Sequence, residues 1–485
     1  MMKLKTSYRF ASALLFLTLL AAANPIIRAQ NSTPANQSPQ QPQSPVNVLS
    51  QQPYTFPQTP SQTSQTPAPF PTPVVVPPLD GTPLAGSQGL LVETLDGRKV
   101  MEAAPDQAFN PASAVKLATA LSALRTFGSQ YRFTTAVWTD GTFDKATGTI
   151  TGDLYISGRD PSFHYEHAVQ IARELNRQGV RTVTGDLIVA PRFTMNFDSS
   201  TQRSGEQLYD TLDATRRSAA AIRAVQDYAM LNSERTISDD GMLLGNEAIN
   251  QGAPSVAVMG AVYVDSVPRN AHTLLIHRSS KLVDVLKVLL CYSNNFMAER
   301  IGDTLGGPES VRRTLISSAG VPSWNVSLAS TSGLGVNRVT PRAMMKVLRA
   351  LRAELAKNNL ELSDILPVAG IDPGTLHKRY TTYPSRGSVI AKTGTLTRTD
   401  GGASALVGEM HTTTNETLLF VIFNQRGSVV RFRENQDRLV TQIQNSHGGP
   451  ASFVYRPLAL AMRLADTETG AVSSARKDEY EPASN

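Results

Sequence analysis

Three short clusters along the chain hold the residues able to do chemistry: Ser113-Ala-Val-Lys116, Ser293-Asn-Asn295 and Lys392-Thr-Gly-Thr395. A serine hydroxyl is a poor nucleophile until a neighbouring base removes its proton. Residues three apart on a helix share a face, so Lys116 stands one turn above Ser113 and is placed to be that base. The run from Leu117 to Leu124 is almost wholly apolar, which suits a buried helix and desolvates the lysine. Desolvation lowers a lysine pKa, and a neutral amine is a general base. The chemistry this implies is acyl transfer through a serine ester, with lysine taking the proton. Each cluster alone is common; their order, spacing and local structure have to agree, and they do.

The elements that must position these side chains are readable nearby. Pro111 and Ser113 suit the start of a helix, where proline is tolerated and serine is at home near a cap. Ser293 follows a helical run, Leu282-Val-Asp-Val-Leu-Lys-Val-Leu-Leu290, and precedes another, Phe296-Met-Ala-Glu-Arg-Ile-Gly-Asp303. Ser-Asn-Asn therefore sits on a short loop between helices, where side chains point into a cleft. Ser293 is placed to relay a proton to a leaving amine, and Asn295 to hold the lysine and a substrate amide. Asn294 reads as a polar helix cap. Ser388-Val-Ile-Ala-Lys-Thr-Gly-Thr395 reads as a strand. On it, Lys392 is expected to set positive charge opposite the acyl donor's carboxylate, and Gly394 to let substrate backbone approach. Thr393 or Thr395 is to donate a hydroxyl to that carboxylate. The backbone N–H groups of Ser113 and Thr395 are expected to form an oxyanion hole.

With these residues in place, the chain resembles the penicillin-binding proteins and serine β-lactamases. More narrowly, it is similar to the D-alanyl-D-alanine carboxypeptidase/endopeptidase family of low-molecular-mass class C penicillin-binding proteins (peptidase family S13). Supporting stretches include Gly152-Asp-Leu-Tyr-Ile-Ser-Gly-Arg-Asp-Pro161, Thr184-Gly-Asp-Leu-Ile-Val189, Tyr292-Ser-Asn-Asn-Phe-Met-Ala-Glu299 and Ser332-Gly-Leu334 with Asn337-Arg-Val-Thr-Pro341. Leu366-Pro-Val-Ala-Gly370 with Gly374-Thr-Leu376 also fits. The similarity runs from about Gly86 to Ala465.

The resemblance implies an α+β fold: a penicillin-binding protein/β-lactamase-like transpeptidase fold, an antiparallel sheet flanked by helices. An α/β domain is expected between the first two motifs, because Ser113 and Ser293 are 180 residues apart (293 − 113). Ser293 to Lys392 spans 99 residues (392 − 293), a return to the last strands of the sheet. The implied activity is serine-type D-Ala-D-Ala carboxypeptidase, and endopeptidase on cross-links, with peptidoglycan peptides as substrates and β-lactam antibiotics as covalent inhibitors. It needs no cofactor and no metal. Two departures stand out. Ser330 and Thr331 occupy positions where the family often has an acidic residue and a glycine. The aromatic and aspartate that such inserts bring towards the substrate have no match within Phe193 to Ala220. The Glu-x-x-Leu-Asn signature of class A β-lactamases is absent, which argues for slow turnover of penicillins. Two rival readings are a β-lactamase or esterase on the same fold, and a non-catalytic wall-binding protein. The intact Ser113, Lys116, Ser293, Asn295 and Lys392 argue against the second.

Composition sets the compartment. Lys3, Lys5 and Arg9 precede an apolar stretch from Phe10 to Ala23, which reads as a secretory signal over 1–29 and is too short for a comfortable transmembrane helix. Cleavage after Ala29 or after Ala23 fits. The expected location is the periplasm or extracytoplasmic wall space, with no stable membrane anchor. The pI of 9.3 misleads, because residues 1–29 carry four of the 46 basic side chains and no acid. The remainder has 42 basic against 40 acidic residues, net +2, which gives no argument for nucleic-acid binding. Cys291, the single cysteine, reads as a small core residue. Among seven histidines only His164-x-x-His167 has ligand-like spacing, and a surface helix is the simpler reading.

The expected organisation is a Gln/Pro/Ser/Thr-rich disordered linker over 30–84, catalytic segments at 85–146 and 273–466, an insert at 147–272, and a polar tail at 467–485. Gly89 to Val100 reads as a hairpin around Asp96-Gly97. Thr-Gly-Asp-Leu recurs at 151–154 and 184–187, each copy opening a strand, with a helix between: a strand–helix–strand unit with weak duplication. Asp153 and Asp186 read as turn residues.

Overall fold

The computed structural model describes residues 85–235 and 253–471. The leader expected over 1–29, the linker expected over 30–84 and residues 472–485 of the tail lie outside the described residues. The first sheet is antiparallel and five-stranded. Its order is Val389–Leu396, Ala403–His411, Thr417–Gln425, Ser87–Thr94 and Lys99–Ala103. Both faces are covered, and strand alternation sorts them. Leu91, Ala405, Val407, Leu419, Val421 and Phe423 face a core built on helix Val115–Phe127. Leu90, Val92, Leu406, Leu418, Phe420 and Ile422 face Leu439, Val440 and Ile443 of helix Val429–Ser446. The Lys392 strand is the outer edge of this sheet; Pro367–Ala369 cover its first half, and no strand among the described residues pairs with Thr393–Thr395 on that side.

A second sheet of six strands runs in the order Val262–Val264, Leu187–Val189, Leu154–Gly158, Arg132–Thr139, His272–Lys281 and Glu468–Ala471. Leu154–Gly158 and Leu187–Val189 are parallel and joined through helix Tyr165–Arg177, the expected strand–helix–strand unit. Ala168, Ile171, Ala172 and Leu175 form the buried stripe of that helix over a core of its own. Asp153 and Asp186 are turn residues. Asp153 N–H donates to Asp140 Oδ1 at 3.0 Å, Asp186 N–H to Asp153 Oδ1 at 2.8 Å, and Ala261 N–H to Asp186 Oδ1 at 2.7 Å. The duplication is thus part of a longer ladder of like turns.

Arg132–Thr139 and His272–Lys281 pair with each other and carry the second sheet, which thus takes in residues on both sides of the 147–272 segment expected as an insert. Glu468–Ala471, within the expected polar tail, pairs with His272–Lys281. Long-range strand pairing overrides local polarity here.

His167 is buried, not on a surface face, and lies with His277 and Asp160 so that their ligand atoms fall within 4.8 Å. The His164 N–H donates to His167 Nδ1 at 3.0 Å, which leaves the neutral ring's proton on Nε2. Burial holds both imidazoles below their usual range. A metal at His167 Nε2 would first have to displace that proton. Cys291 is fully buried, and burial pushes its thiol up to about 12.

Candidate active site

Ser113 lies in a single 3-10 turn, Ala112–Ala114, that runs into helix Val115–Phe127. The residue before it, Ala112, is held at φ 47°, a left-handed conformation that a side chain disfavours. Asn110 fixes it: Asn110 Oδ1 accepts from Ala112 N–H at 3.0 Å, and Asn110 Nδ2 donates to Asp400 Oδ2 and to Gly335 O. Gly333 backs onto the same turn, and a Cβ there would meet the Ala112 carbonyl oxygen at 2.0 Å. That contact gives Ser332-Gly-Leu334 its physical reason. Ser293 is the second left-handed residue, φ 56°, capping helix Leu282–Tyr292. Asn294 caps the next helix by accepting from Met297 N–H at 3.0 Å, as read from sequence. Strained non-glycine residues cost of order 1–3 kcal/mol each and persist where the surroundings over-determine them.

Lys116 is fully buried. Its Nζ lies 3.0 Å from Ser113 Oγ, 2.7 Å from Asn295 Oδ1 and 2.6 Å from the Ser332 carbonyl oxygen. Two of these three neighbours are pure acceptors. A neutral amine has two protons, and those two acceptors take both. Its lone pair then faces Ser113. Burial pushes the Lys116 ammonium down to about 7, with the nearby Glu299 carboxylate pulling it back up. Glu299 is itself a residue the motifs did not single out. It accepts from Ser332 N–H at 3.0 Å and from Thr331 Oγ1 at 2.8 Å, holding the segment whose carbonyl receives Lys116. Burial raises its pKa, but these hydrogen bonds outweigh that and leave it below the usual range. Ser330, where the resemblance leads one to expect an acid, closes the turn instead, accepting from Gly333 N–H and donating to Leu334 O.

Lys392 departs from expectation. It is fully buried, and its Nζ donates to Ser293 Oγ at 2.8 Å and to the Thr393 carbonyl oxygen at 2.7 Å. Burial and then the charge of Lys116 hold it well below the normal lysine value. It is a neighbour of Ser293, not a cation presented to the cleft. Gly394 also departs. A Cβ there would strike the Pro111 carbonyl oxygen at 2.6 Å, so the glycine seats the strand against the Ser113 turn and leaves no gap for substrate backbone. The outer edge of the strand at Thr393 and Thr395 does face the cleft. Ala391 N–H points outward to Pro367 O, and alternation puts the N–H groups of Thr393 and Thr395 on that same side. The Thr395 amide is therefore available as an oxyanion donor.

Ser113, Ser293, Asn295, Thr393 and Thr395 line one cleft of about 640 Å³. Also lining it are Thr375, Lys378 and Arg379 with the helix side chains Arg433, Glu434 and Asp437. Thr375 N–H donates to the Cys291 carbonyl oxygen at 2.9 Å. A buried ion pair fixes the segment before it: Lys287 Nζ donates to Asp372 Oδ2, Ser363 O and Leu366 O, each at 2.7 Å. The Leu366–Leu376 stretches thus owe their pattern to supporting the helix that delivers Ser293.

If neutral Lys116 is the base, acylation rises as pH rises through about 7 and then levels, because only the deprotonated amine accepts a proton. Below that point the rate falls about tenfold per pH unit. The second-order acylation rate with penicillin, measured between about pH 5 and 9, checks this, and a flat profile below neutrality would remove Lys116 from the role.

A sequence model of the D-Ala-D-Ala carboxypeptidase 3 (S13) family matches residues 80–232 and 223–445. A D-alanyl-D-alanine carboxypeptidase of Actinomadura is 26% identical over 488 aligned positions, covering 80% of this chain and 82% of that protein. A carboxypeptidase of Mycobacterium tuberculosis is 26% identical over 384, covering 73% and 79%. Among solved structures, a predatory peptidoglycan endopeptidase from Bdellovibrio bacteriovorus superposes with a TM-score of 0.62 at 21% identity, covering 79% of this chain and 98% of that one. Penicillin-binding protein 4 of Haemophilus influenzae does so with 0.55 at 20% identity, covering 75% and 97%. These structures share the penicillin-binding protein/β-lactamase-like fold. Matched from residue 80 to 445, the chain belongs to the S13 family of serine-type D-Ala-D-Ala carboxypeptidases.

Proposed function

We propose that this chain removes the terminal D-alanine from peptidoglycan stem peptides through an acyl-enzyme on Ser113. The observation that carries the reading is the buried Lys116, whose fixed acceptors turn its lone pair to the serine. Ser113 Oγ attacks the carbonyl carbon of the scissile D-Ala-D-Ala amide, and Lys116 Nζ takes its proton. The N–H groups of Ser113 and Thr395 stabilise the oxyanion. As the C–N bond breaks, Ser293 gives its proton to the leaving nitrogen and is restored by the proton held on the coupled lysines. Asn295 holds Lys116 and the substrate amide. Water then attacks the ester carbonyl; Lys116 takes the water's proton and passes it to Ser113 Oγ as the ester C–O bond breaks. A β-lactam enters by the same attack, but its ring-opened amine stays tethered and blocks water. The same reading places the enzyme in the extracytoplasmic wall space, with residues 1–29 as leader and 30–84 as tether. No helix among the described residues is long and apolar enough to cross a membrane.

The test offers the protein a pentapeptide ending in D-Ala-D-Ala, a cross-linked peptide dimer and a chromogenic cephalosporin. Release of D-alanine with a single cephalosporin burst is the expected result. Many cephalosporin turnovers without D-alanine release would replace the proposal with the β-lactamase reading. Cleavage of the dimer measures the endopeptidase share.

A further inference from the structure

The buried state of Lys392 leaves a question of charge. A stem peptide ending in D-alanine brings a free carboxylate to the open edge of the Thr393–Thr395 strand. Lys392 is enclosed and already donates to Ser293 and Thr393. Arg379, which also lines the cleft, is held by Asp437 through Nε at 2.9 Å and Nη2 at 2.5 Å. Arg433 differs from both. It is exposed on helix Val429–Ser446, lines the cleft, and meets no carboxylate among the described residues. Its one hydrogen bond runs from Nη2 to Thr395 Oγ1 at 2.7 Å. That bond takes a lone pair of the hydroxyl and leaves the Thr395 proton free to turn outward. The remaining N–H groups of the guanidinium fork stay unengaged beside it. The charged residues of the cleft wall are Lys378, Arg379 and Arg433 against Glu434 and Asp437, net +1 (3 − 2).

We propose that Arg433 is the specificity residue for the acyl donor's free carboxylate, binding it jointly with the Thr395 hydroxyl that it orients. This rests on the reading of Ser113 as the acylated serine. A planar guanidinium matches a carboxylate with two parallel hydrogen bonds. Donors lacking that carboxylate lose the interaction and keep the rest of the site. The enzyme's preference for a free chain end over an internal bond with a neutral neighbour would follow from this one side chain.

The experiment compares a D-Ala-D-Ala peptide with its C-terminal amide, for wild type, Arg433→Gln and Arg433→Lys. Arg433→Gln is expected to reduce the kcat/KM ratio of acid to amide about tenfold, the low end for a hydrogen bond to a charged group, because the guanidinium is exposed and salt-screened. Arg433→Lys restores part of the ratio, and raising the salt narrows the wild-type preference. An unchanged ratio in Arg433→Gln, whether both substrates suffer equally or neither suffers, overturns the proposal. Failure of the underlying reading looks different: wild-type protein would then carry no penicillin adduct on Ser113 and turn over neither peptide.

Discussion

Ser113→Ala is expected to abolish the covalent penicillin adduct and D-alanine release together. Its hydroxyl lies 3.0 Å from the buried Lys116 amine and sits beside the open amide edge of the Lys392 strand. Removing one oxygen from a turn held by Asn110 and backed by Gly333 leaves the fold's supports in place, so thermal unfolding of the variant should match wild type. Intact-protein mass spectrometry after penicillin treatment gives the answer. An adduct that persists in the variant would place the nucleophile elsewhere. Cys291 is no substitute, since it is fully buried and its thiol is pushed up to about 12.

Lys116→Arg should slow acylation by at least ~10²-fold, the low end for losing a positioned general base. Guanidinium keeps its proton throughout the range in which proteins fold. It therefore fixes a permanent charge near Glu299 while offering Ser113 no lone pair. The site also has no room to spare, because the nitrogen is enclosed between Asn295 Oδ1 and the Ser332 carbonyl oxygen. Stopped-flow acylation by a reporter β-lactam measures the loss, with Lys116→Ala as a smaller second variant. Near-wild-type rates in both would mean that another group activates Ser113.

Much of the catalytic layout was legible because its signals are local. Ser113 and Lys116 are three residues apart on one helix face. Ser293 and Asn294 announce a loop by ending one apolar run and capping the next. The strand around Lys392 shows its own apolar run. What stayed hidden depends on contacts between distant segments. Lys116 meets Asn295 and Ser332 across 179 and 216 residues, and no local pattern shows that Ser332 offers its carbonyl. Lys392 looked like a cation for the substrate because a lysine on an edge strand is usually solvated; here Ser293 and Thr393 accept its protons in a dry site. Gly394 looked like room for a ligand, but the room is filled by Pro111. Arg433 lies on an ordinary polar helix face, and only its contact with Thr395 distinguishes it. The reach of the second sheet past the 147–272 segment was hidden for the same reason. Turn residues mark where strands end, and they say nothing about which strand a neighbour will choose.

The late strand Glu468–Ala471 bears on how the chain reaches its native state. It completes a sheet whose other five strands lie between residues 132 and 281, pairing Ala471 with Leu275 across 196 positions (471 − 275). Non-local pairings of this length are slow to form, because chain closure entropy must be overcome before contacts reward it. The inserted layer therefore waits, with one edge unpaired, until the whole catalytic layer has been traversed. An exposed edge is a template for pairing with other chains. A polypeptide emerging in order would be most vulnerable to aggregation in that interval, and Glu468–Ala471 acts as the latch that ends it.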